Sequence, residues 1–265
     1  MLHNKKMQKI IASFLPPLVF QLAKRDIAGR YRGSLLGLAW SFVNPLLMLA
    51  VYTFVFGMVF RGQGSDRTGF ALSLFAGLII FNLFSECITR SPMLIVTNPS
   101  YVKKVVFPLE LLPWVSLGSA LFHAAASLLV LLLFLLISGR GIHATVLLTP
   151  LIIMPLIPVI LGASWILSSI GVYIRDIGNL VGMGMTVLMF LSPIFYPASA
   201  LPEKVRPWLF LNPLGLIIEQ TRNVLLSGVL PDWKSLVIYL AVALPFAWVG
   251  RVWFNKTRKG FADVL

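Results

Sequence analysis

The side chains that could carry chemistry are few in this chain, and they are dispersed. Of the nine acids, Asp26, Asp66, Glu86, Glu110, Asp176, Glu203, Glu219, Asp232 and Asp263, only Glu86 falls clearly inside a long apolar run, Glu110 standing at the edge of one. Arg90 follows it by four residues, the spacing at which opposite charges meet on one helix face, so the pattern points to an ion pair rather than to a proton relay. His123 is the only histidine within such a run and has no second ligand at metal spacing, which makes it a packed or interhelically hydrogen-bonded imidazole. Cys87 is the single cysteine, so there is neither a disulfide framework nor zinc-type spacing. Arg175-Asp176 alone is a poor active site. No G-x-x-x-x-G-K-[ST] occurs, hence no loop to cradle a nucleotide phosphate, and the chain does not hydrolyse ATP by itself.

Composition explains this poverty. Of the 265 residues, 58% are hydrophobic and only 12% charged, with a mean hydropathy of +0.90. A soluble domain is nearer half apolar and a quarter charged, so this chain belongs in a membrane. The formal charge of +13 does not mark a nucleic-acid binder, because Lys and Arg punctuate long apolar runs instead of clustering on a polar surface.

Apolar runs of about 20 residues span the hydrocarbon core as helices. Six are read: 34–60, 69–89, 109–137, 144–174, 177–196 and 236–254. The turn Arg61 to Asp66 separates the first two, and Pro150, Pro155 and Pro158 predict a kink in the fourth. With six spans both termini share a side, which also holds the loop 91–108 and the Arg175-Asp176 turn. That side carries about two thirds of the 22 Lys and Arg residues, so the positive-inside rule predicts cytoplasmic termini. The basic and apolar start resembles a signal peptide only in part. Pro16-Pro17 interrupts it and no clear cleavage site follows, so it is expected to be retained.

Before the first span, Phe20, Ala23, Ile27 and Tyr31 recur at helical spacing, with Lys24, Arg25, Arg30 and Arg32 at other positions. The segment 16–32 reads as an amphipathic helix lying in the interface, with a bend at Gly33-Ser34. In the span itself Trp40, Asn44, Met48, Tyr52, Phe56 and Phe60 fall every four residues. Each such step drifts by about 40°, so they form two patches rather than one face. Aromatic rings there suit sugar rings, and equally suit ordinary packing in a membrane helix.

Four stretches together carry a resemblance: "RDIAGRYRGSLLGLAWSFVNPLL", "NPSYVKKVVFPLELLP", "VYIRDIGNL" and "LSPIFYPASALPEKVRPWLFLNPLGLIIEQTRNVLL". In this order they resemble the ABC-2 type permease subunits of bacterial polysaccharide exporters, over nearly the whole chain. The resemblance implies an all-α integral membrane protein of one domain, 1–265, with six transmembrane helices, an N-terminal interface helix and short external gate helices in 197–230. It implies a homodimer in the bacterial inner membrane, paired with two copies of a P-loop ATPase that binds ATP and Mg, this chain holding no cofactor itself. The substrate implied is a polysaccharide on a polyprenyl pyrophosphate, with O-antigen first and capsule or teichoic acid as alternatives; nucleic acid is not expected as a partner.

The same resemblance implies site residues. The sugar path would use Trp40, Asn44, Tyr52, Phe56, Phe60, Phe190, Phe195 and Tyr196, on a channel lined by the first and fifth spans. Arg25, Arg30, Arg32 and Arg90 would receive the lipid pyrophosphate, since guanidinium pairs with phosphate bidentately. Lys24, Asp26, Ser100, Tyr101, Lys103 and Lys104 would meet the ATPase at the interface helix and the coupling loop 91–108. Rival readings are an ABC-2 permease for drugs or lipids and, from another class, a membrane enzyme acting on polyprenyl phosphates. The scattered acids argue against the enzyme.

Overall fold

The structure is a computed structural model, which describes residues 17–55, 67–103, 107–196 and 212–265. Phe56, Phe60, Lys104, the Arg61 to Asp66 turn and residues 197–211 of the expected gate region lie outside the described residues.

Helix α1 covers 17–30, with Pro17 as its first described residue, where a missing N–H costs nothing. It ends in a turn whose Gly33 has φ +84° and Gly37 φ +51°, values that L side chains rarely adopt. The expected bend is therefore present, and it delays the next helix, α2, to Trp40–Phe54. Ser41 and Leu49 are its buried residues, while Phe42, Leu46, Met48, Val51 and Phe54 face outward.

Helix α3, Arg67–Arg90, is the column around which the other helices pack. Leu72, Phe75, Ile79, Ile80, Leu83 and Phe84 are all buried along it. A short turn at Ser91–Met93 and the one-turn helix α4, Pro99–Lys103, lead to α5, Leu112–Ile137. The fourth apolar run is broken as its prolines predict: α6, Thr149–Ile153, stops before Pro155, and α7, Leu156–Tyr173, continues beyond it. Helix α8, Ile177–Leu191, ends at Ser192-Pro193. Proline disfavours helical backbone in the residue before it, which accounts for an end earlier than 196. After the undescribed segment come α9, Gly215–Arg222, and α10, Trp233–Thr257, the latter capped by the Asp232 carboxylate accepting from the backbone N–H groups of Lys234 and Ser235. The chain closes with α11, Phe261–Val264.

All regular structure in the described residues is helical. Five segments are long and apolar enough to cross a membrane: Gly37–Phe54, Thr68–Met93, Leu109–Ile137, Ala144–Tyr173 and Trp233–Val264. The fold is thus the all-α multi-pass membrane protein expected. Helix α8 is apolar but only 15 residues long, about 22 Å against a hydrocarbon core of about 30 Å.

Glycines allow two close crossings. A Cβ on Gly250 of α10 would lie 2.4 Å from the Gly162 carbonyl oxygen of α7, and a Cβ on Gly171 would lie 2.0 Å from the Pro92 carbonyl oxygen. Small residues bring helices together in lipid, where burial offers no hydrophobic drive between them. Gly171→Ala is expected to cost about 1–3 kcal/mol, seen as a lower melting temperature of the detergent-purified protein. Gly29→Ala, where nothing lies within 4 Å, should leave melting unchanged or raise it slightly. Equal melting of the Gly171 variant and the native chain would show that the α7 crossing is not rigid.

Candidate functional site

One end of the bundle carries an ionic network that fastens α1 to α3 and α5. Two N–H groups of the Arg90 guanidinium donate to the two oxygens of Asp26, at 3.0 and 2.8 Å. Ser119 Oγ donates to the same carboxylate at 2.7 Å. One turn further along α1, Arg30 forms a close ion pair with Glu86. His123 Nδ1 lies 3.0 Å from Glu86 Oε2, and Tyr31 Oη lies 3.1 Å from His123 Nε2. The tautomer with the proton on Nδ1 satisfies both contacts: the imidazole donates to Glu86 and accepts from Tyr31. The Glu86 and Arg90 pair anticipated from spacing exists, at 3.9 Å, but each member has a nearer partner on or beside α1.

Two carboxylates and two guanidiniums make the network neutral overall. That balance matters because these side chains are only 20 to 29% exposed, and a partly buried charge without a partner is costly. Burial works to raise the Asp26 pKa, but hydrogen bonds from Arg90 and Ser119, with the charges of Arg90 and Arg30, hold it below the usual carboxylate value. Burial pushes the Tyr31 phenol upward, keeping it a neutral donor.

Beside the network lies a cavity of about 770 Å³ between α1, the end of α3, α4 and α5. Arg25, Asp26, Arg30, Arg90, Asn98 and Tyr101 line it. Arg25 donates to the Tyr101 hydroxyl, and the Tyr101 ring stacks on Phe107 with centroids 4.3 Å apart. Three of the four arginines expected at the entrance thus share one cavity, while Arg32 stands exposed past the end of α1. Ser100 and Lys103 are exposed on α4. Lys24 is exposed too, and lines a second cavity on another side of α1. The Asp26 carboxylate is engaged inside the chain.

The described aromatic residues of the expected sugar path sit on α2 and at or just beyond the end of α8. Trp40 and Tyr52 are half-buried and Asn44 is exposed. Phe190 stacks on Phe195 with centroids 5.7 Å apart, and Tyr196 donates to the carbonyls of Phe190 and Leu191 at 3.2 Å.

A second polar node lies at the opposite end of the bundle. Arg222, the last residue of α9, donates to three carbonyls: Ser73 of α3 at 2.8 Å, and Pro193 and Ile194 after α8 at 2.5 Å each. Burial pushes its pKa down to about 10, against the opposing pull of Glu219. Asn212 donates to Ser192 Oγ and accepts from the Leu214 N–H, both at 2.9 Å. This node falls within the expected gate region 197–230, in which the sequence does not single out Arg222. Its partners are backbone carbonyls of α3 and of the segment after α8, which no side-chain pattern records.

Among the described residues, no three His, Cys, Asp or Glu side chains group as metal ligands. What the geometry offers is two ends of an apolar bundle, each tied by its own arginines, with a cavity at the end bearing α1. Comparison with known proteins fits this arrangement: the family described as ABC-2 type transporter matches residues 17–226.

The chain belongs to the ABC-2 type transporter family. Similar proteins include an O-antigen export system permease protein, RfbA, of Klebsiella pneumoniae, 30% identical over 95% of this chain and 96% of its own. A protein of the same name from Myxococcus xanthus is 28% identical over 94% and 95%. The polysialic acid transport protein KpsM of Escherichia coli is 26% identical over 82% and 84%. An ABC-2 type transporter is a transport protein rather than an enzyme of polyprenyl phosphates. The ionic network is then a joint between α1 and the spanning helices α3 and α5.

A double-mutant cycle measures this joint. Asp26→Ala and Arg90→Ala should each destabilise the transporter, and the double variant should show a coupling of about 0.5–3 kcal/mol. Because the Asp26 pKa lies below its ordinary value, the pair's contribution is complete above about pH 4 and fades as pH falls through the lowered value. Thermal unfolding of the purified variants at neutral pH and in acid reads both effects; strict additivity would show that the pair does not couple α1 to α3.

Proposed function

We propose that the chain is the membrane-spanning subunit of an ATP-driven exporter that moves polysaccharide carried on a polyprenyl pyrophosphate across the bacterial inner membrane. The observation that carries this reading is the similarity to O-antigen export permeases along almost the full length of both chains. O-antigen is the first choice of cargo. The lower similarity to a polysialic acid transport protein supports capsule as the second.

The working unit in this proposal is a homodimer with two copies of a separate P-loop ATPase, in keeping with the missing nucleotide motif. Its termini lie in the cytoplasm, as the basic residues around α1, α4 and the tail favour. Helices α2 and α8 would form the channel seam, for they are the least covered. Gly178, Gly182 and Gly184 of α8 have no atom within 4 Å of where a side chain would begin, and Met183, Val187 and Phe190 face outward. Trp40, Asn44, Tyr52, Phe190, Phe195 and Tyr196, with Phe56 and Phe60, would present flat, weakly polar faces to sugars. Arg25, Arg30, Arg32 and Arg90 would receive the pyrophosphate at the α1 end. The exposed Ser100 and Lys103, with Tyr101 and Lys104, would meet the ATPase.

The mechanism follows from the joint. ATP binding closes the ATPase pair against α1 and α4, and force on α1 passes through the Asp26–Arg90 and Arg30–Glu86 pairs into α3 and α5. Hydrolysis releases it. Arg25 and Arg32 test the entrance most cleanly, since neither is bonded to a carboxylate among the described residues. Co-purified with the ATPase, the native complex should hydrolyse ATP faster when a defined polyprenyl-pyrophosphate glycan is added. Arg25→Ala with Arg32→Ala should weaken that stimulation about tenfold. Stimulation by drugs but not by lipid-linked glycans would overturn the cargo, and undiminished stimulation in the variant would overturn the entrance.

A further inference from the structure

A cavity of about 950 Å³ lies between α1, the start of α5, α7 and the last third of α10. It is separate from the cavity beside the ionic network. Ala23 and Ile27 of α1, Trp114 and Phe122 of α5, and Trp165 of α7 give it apolar walls, with Phe20 at the N-terminal part of α1. Lys24 and Arg251 are on its lining as well. Both are exposed, and neither has a carboxylate partner among the described residues. Glu110, the acid on the same lining, is already taken by Arg258 at 2.9 Å.

An elongated apolar ligand with an anionic head satisfies these walls and this rim together. We infer that the groove under α1 is a binding site for an anionic membrane phospholipid, one acyl chain lying against Trp114, Phe122 and Trp165 and the phosphate held by Lys24 and Arg251. The position supports the assignment. The groove is at the bundle end where the interfacial helix α1 meets the starts and ends of spanning helices, the level at which lipid phosphates reside. On α10 the residues flanking Arg251 in sequence, Trp248, Val249 and Trp253, are exposed apolar side chains.

Charge argues against the competing occupants. The first sixteen residues carry Lys5, Lys6 and Lys9 and no acid, so this segment would bring cations to a cationic rim. A second copy of a chain with formal charge +13 would do the same. Anionic lipid is also a bulk constituent of a cytoplasmic leaflet, the side on which the proposed function places α1. The assignment moves Lys24 from the ATPase contact, where the family resemblance puts it, to the lipid. It leaves the cargo and its entrance untouched, since no arginine of the entrance lines this groove.

Juxtamembrane cations add about a fivefold preference for anionic lipid each. The test is native mass spectrometry of the full chain released from nanodiscs of equal parts phosphatidylglycerol and phosphatidylethanolamine. The native protein should retain phosphatidylglycerol preferentially, and Lys24→Gln with Arg251→Gln should lower that preference about thirtyfold. Lys24→Arg with Arg251→Lys should keep it, which separates loss of charge from loss of fold. Ala28→Phe, which narrows the groove while keeping both cations, should reduce retention of either lipid. Equal retention of the two phospholipids by the native chain, or a preference unchanged in the glutamine variant, overturns the site. A retained polyprenyl lipid in place of phospholipid, in protein purified from cells, overturns it as well.

Discussion

The interaction on which the rest depends is the two-pronged hydrogen-bonded ion pair between Asp26 and Arg90. An amphipathic helix in the interface is ordinarily held by apolar burial and diffuse attraction to headgroups, and it can slide and roll there. A bidentate carboxylate–guanidinium contact fixes both distance and orientation. Ser119 tightens it from a third helix, and the Glu86, Arg30 and His123 contacts repeat the arrangement one turn along. Helix α1 is thereby part of the bundle, with Gly33 and Gly37 supplying the left-handed turns that follow it.

The cost of such a network explains its composition. Guanidiniums at the margin of an apolar bundle need neutralising partners, and carboxylates there need donors for every oxygen. The chain spends two of its nine acids and two of its 22 basic residues to meet that demand. The remaining arginines near α1 are therefore cations in excess. Arg222 meets the same demand differently. With no carboxylate bonded to its guanidinium among the described residues, it is solvated by three backbone carbonyls, two of which belong to backbone freed at the end of α8. One buried cation thus completes the hydrogen bonding of a chain segment that has left its helix, and binds α3, α8 and α9 together.

Most of the architecture was legible from periodicity and punctuation. Long apolar runs located the five helices long enough to span, prolines located the break before α7, and Gly33-Ser34 located the bend after α1. Boundaries slipped where local geometry overrode hydropathy: α2 starts at Trp40 because Gly33 and Gly37 take left-handed turns first, and α8 stops at Leu191 because Pro193 follows. The site was legible only in its ingredients. Spacing within one helix paired Glu86 with Arg90, yet the stronger partners come from α1, 64 residues distant in the Asp26–Arg90 pair. Pattern rules for one helix see i and i+4; they carry no information on which residues a bent chain folds back to meet.

That distinction separates the two arginine nodes from the aromatic residues. In the nodes the carboxylates and guanidiniums already hold partners from other helices of this chain, so they tie separate helices together. The aromatic and glycine-rich faces of α2 and α8 are open. An exposed apolar helix in a membrane protein has either lipid or another protein surface against it. On α8 the absent side chains of Gly178, Gly182 and Gly184 leave a surface that lipid tails would fill poorly and a second helix would fill well, because small residues let backbones approach. The closed nodes and the open faces therefore divide the labour of the chain: the nodes hold separate helices together, and the open faces leave the surface on which, in the proposed function, a second subunit would complete the path.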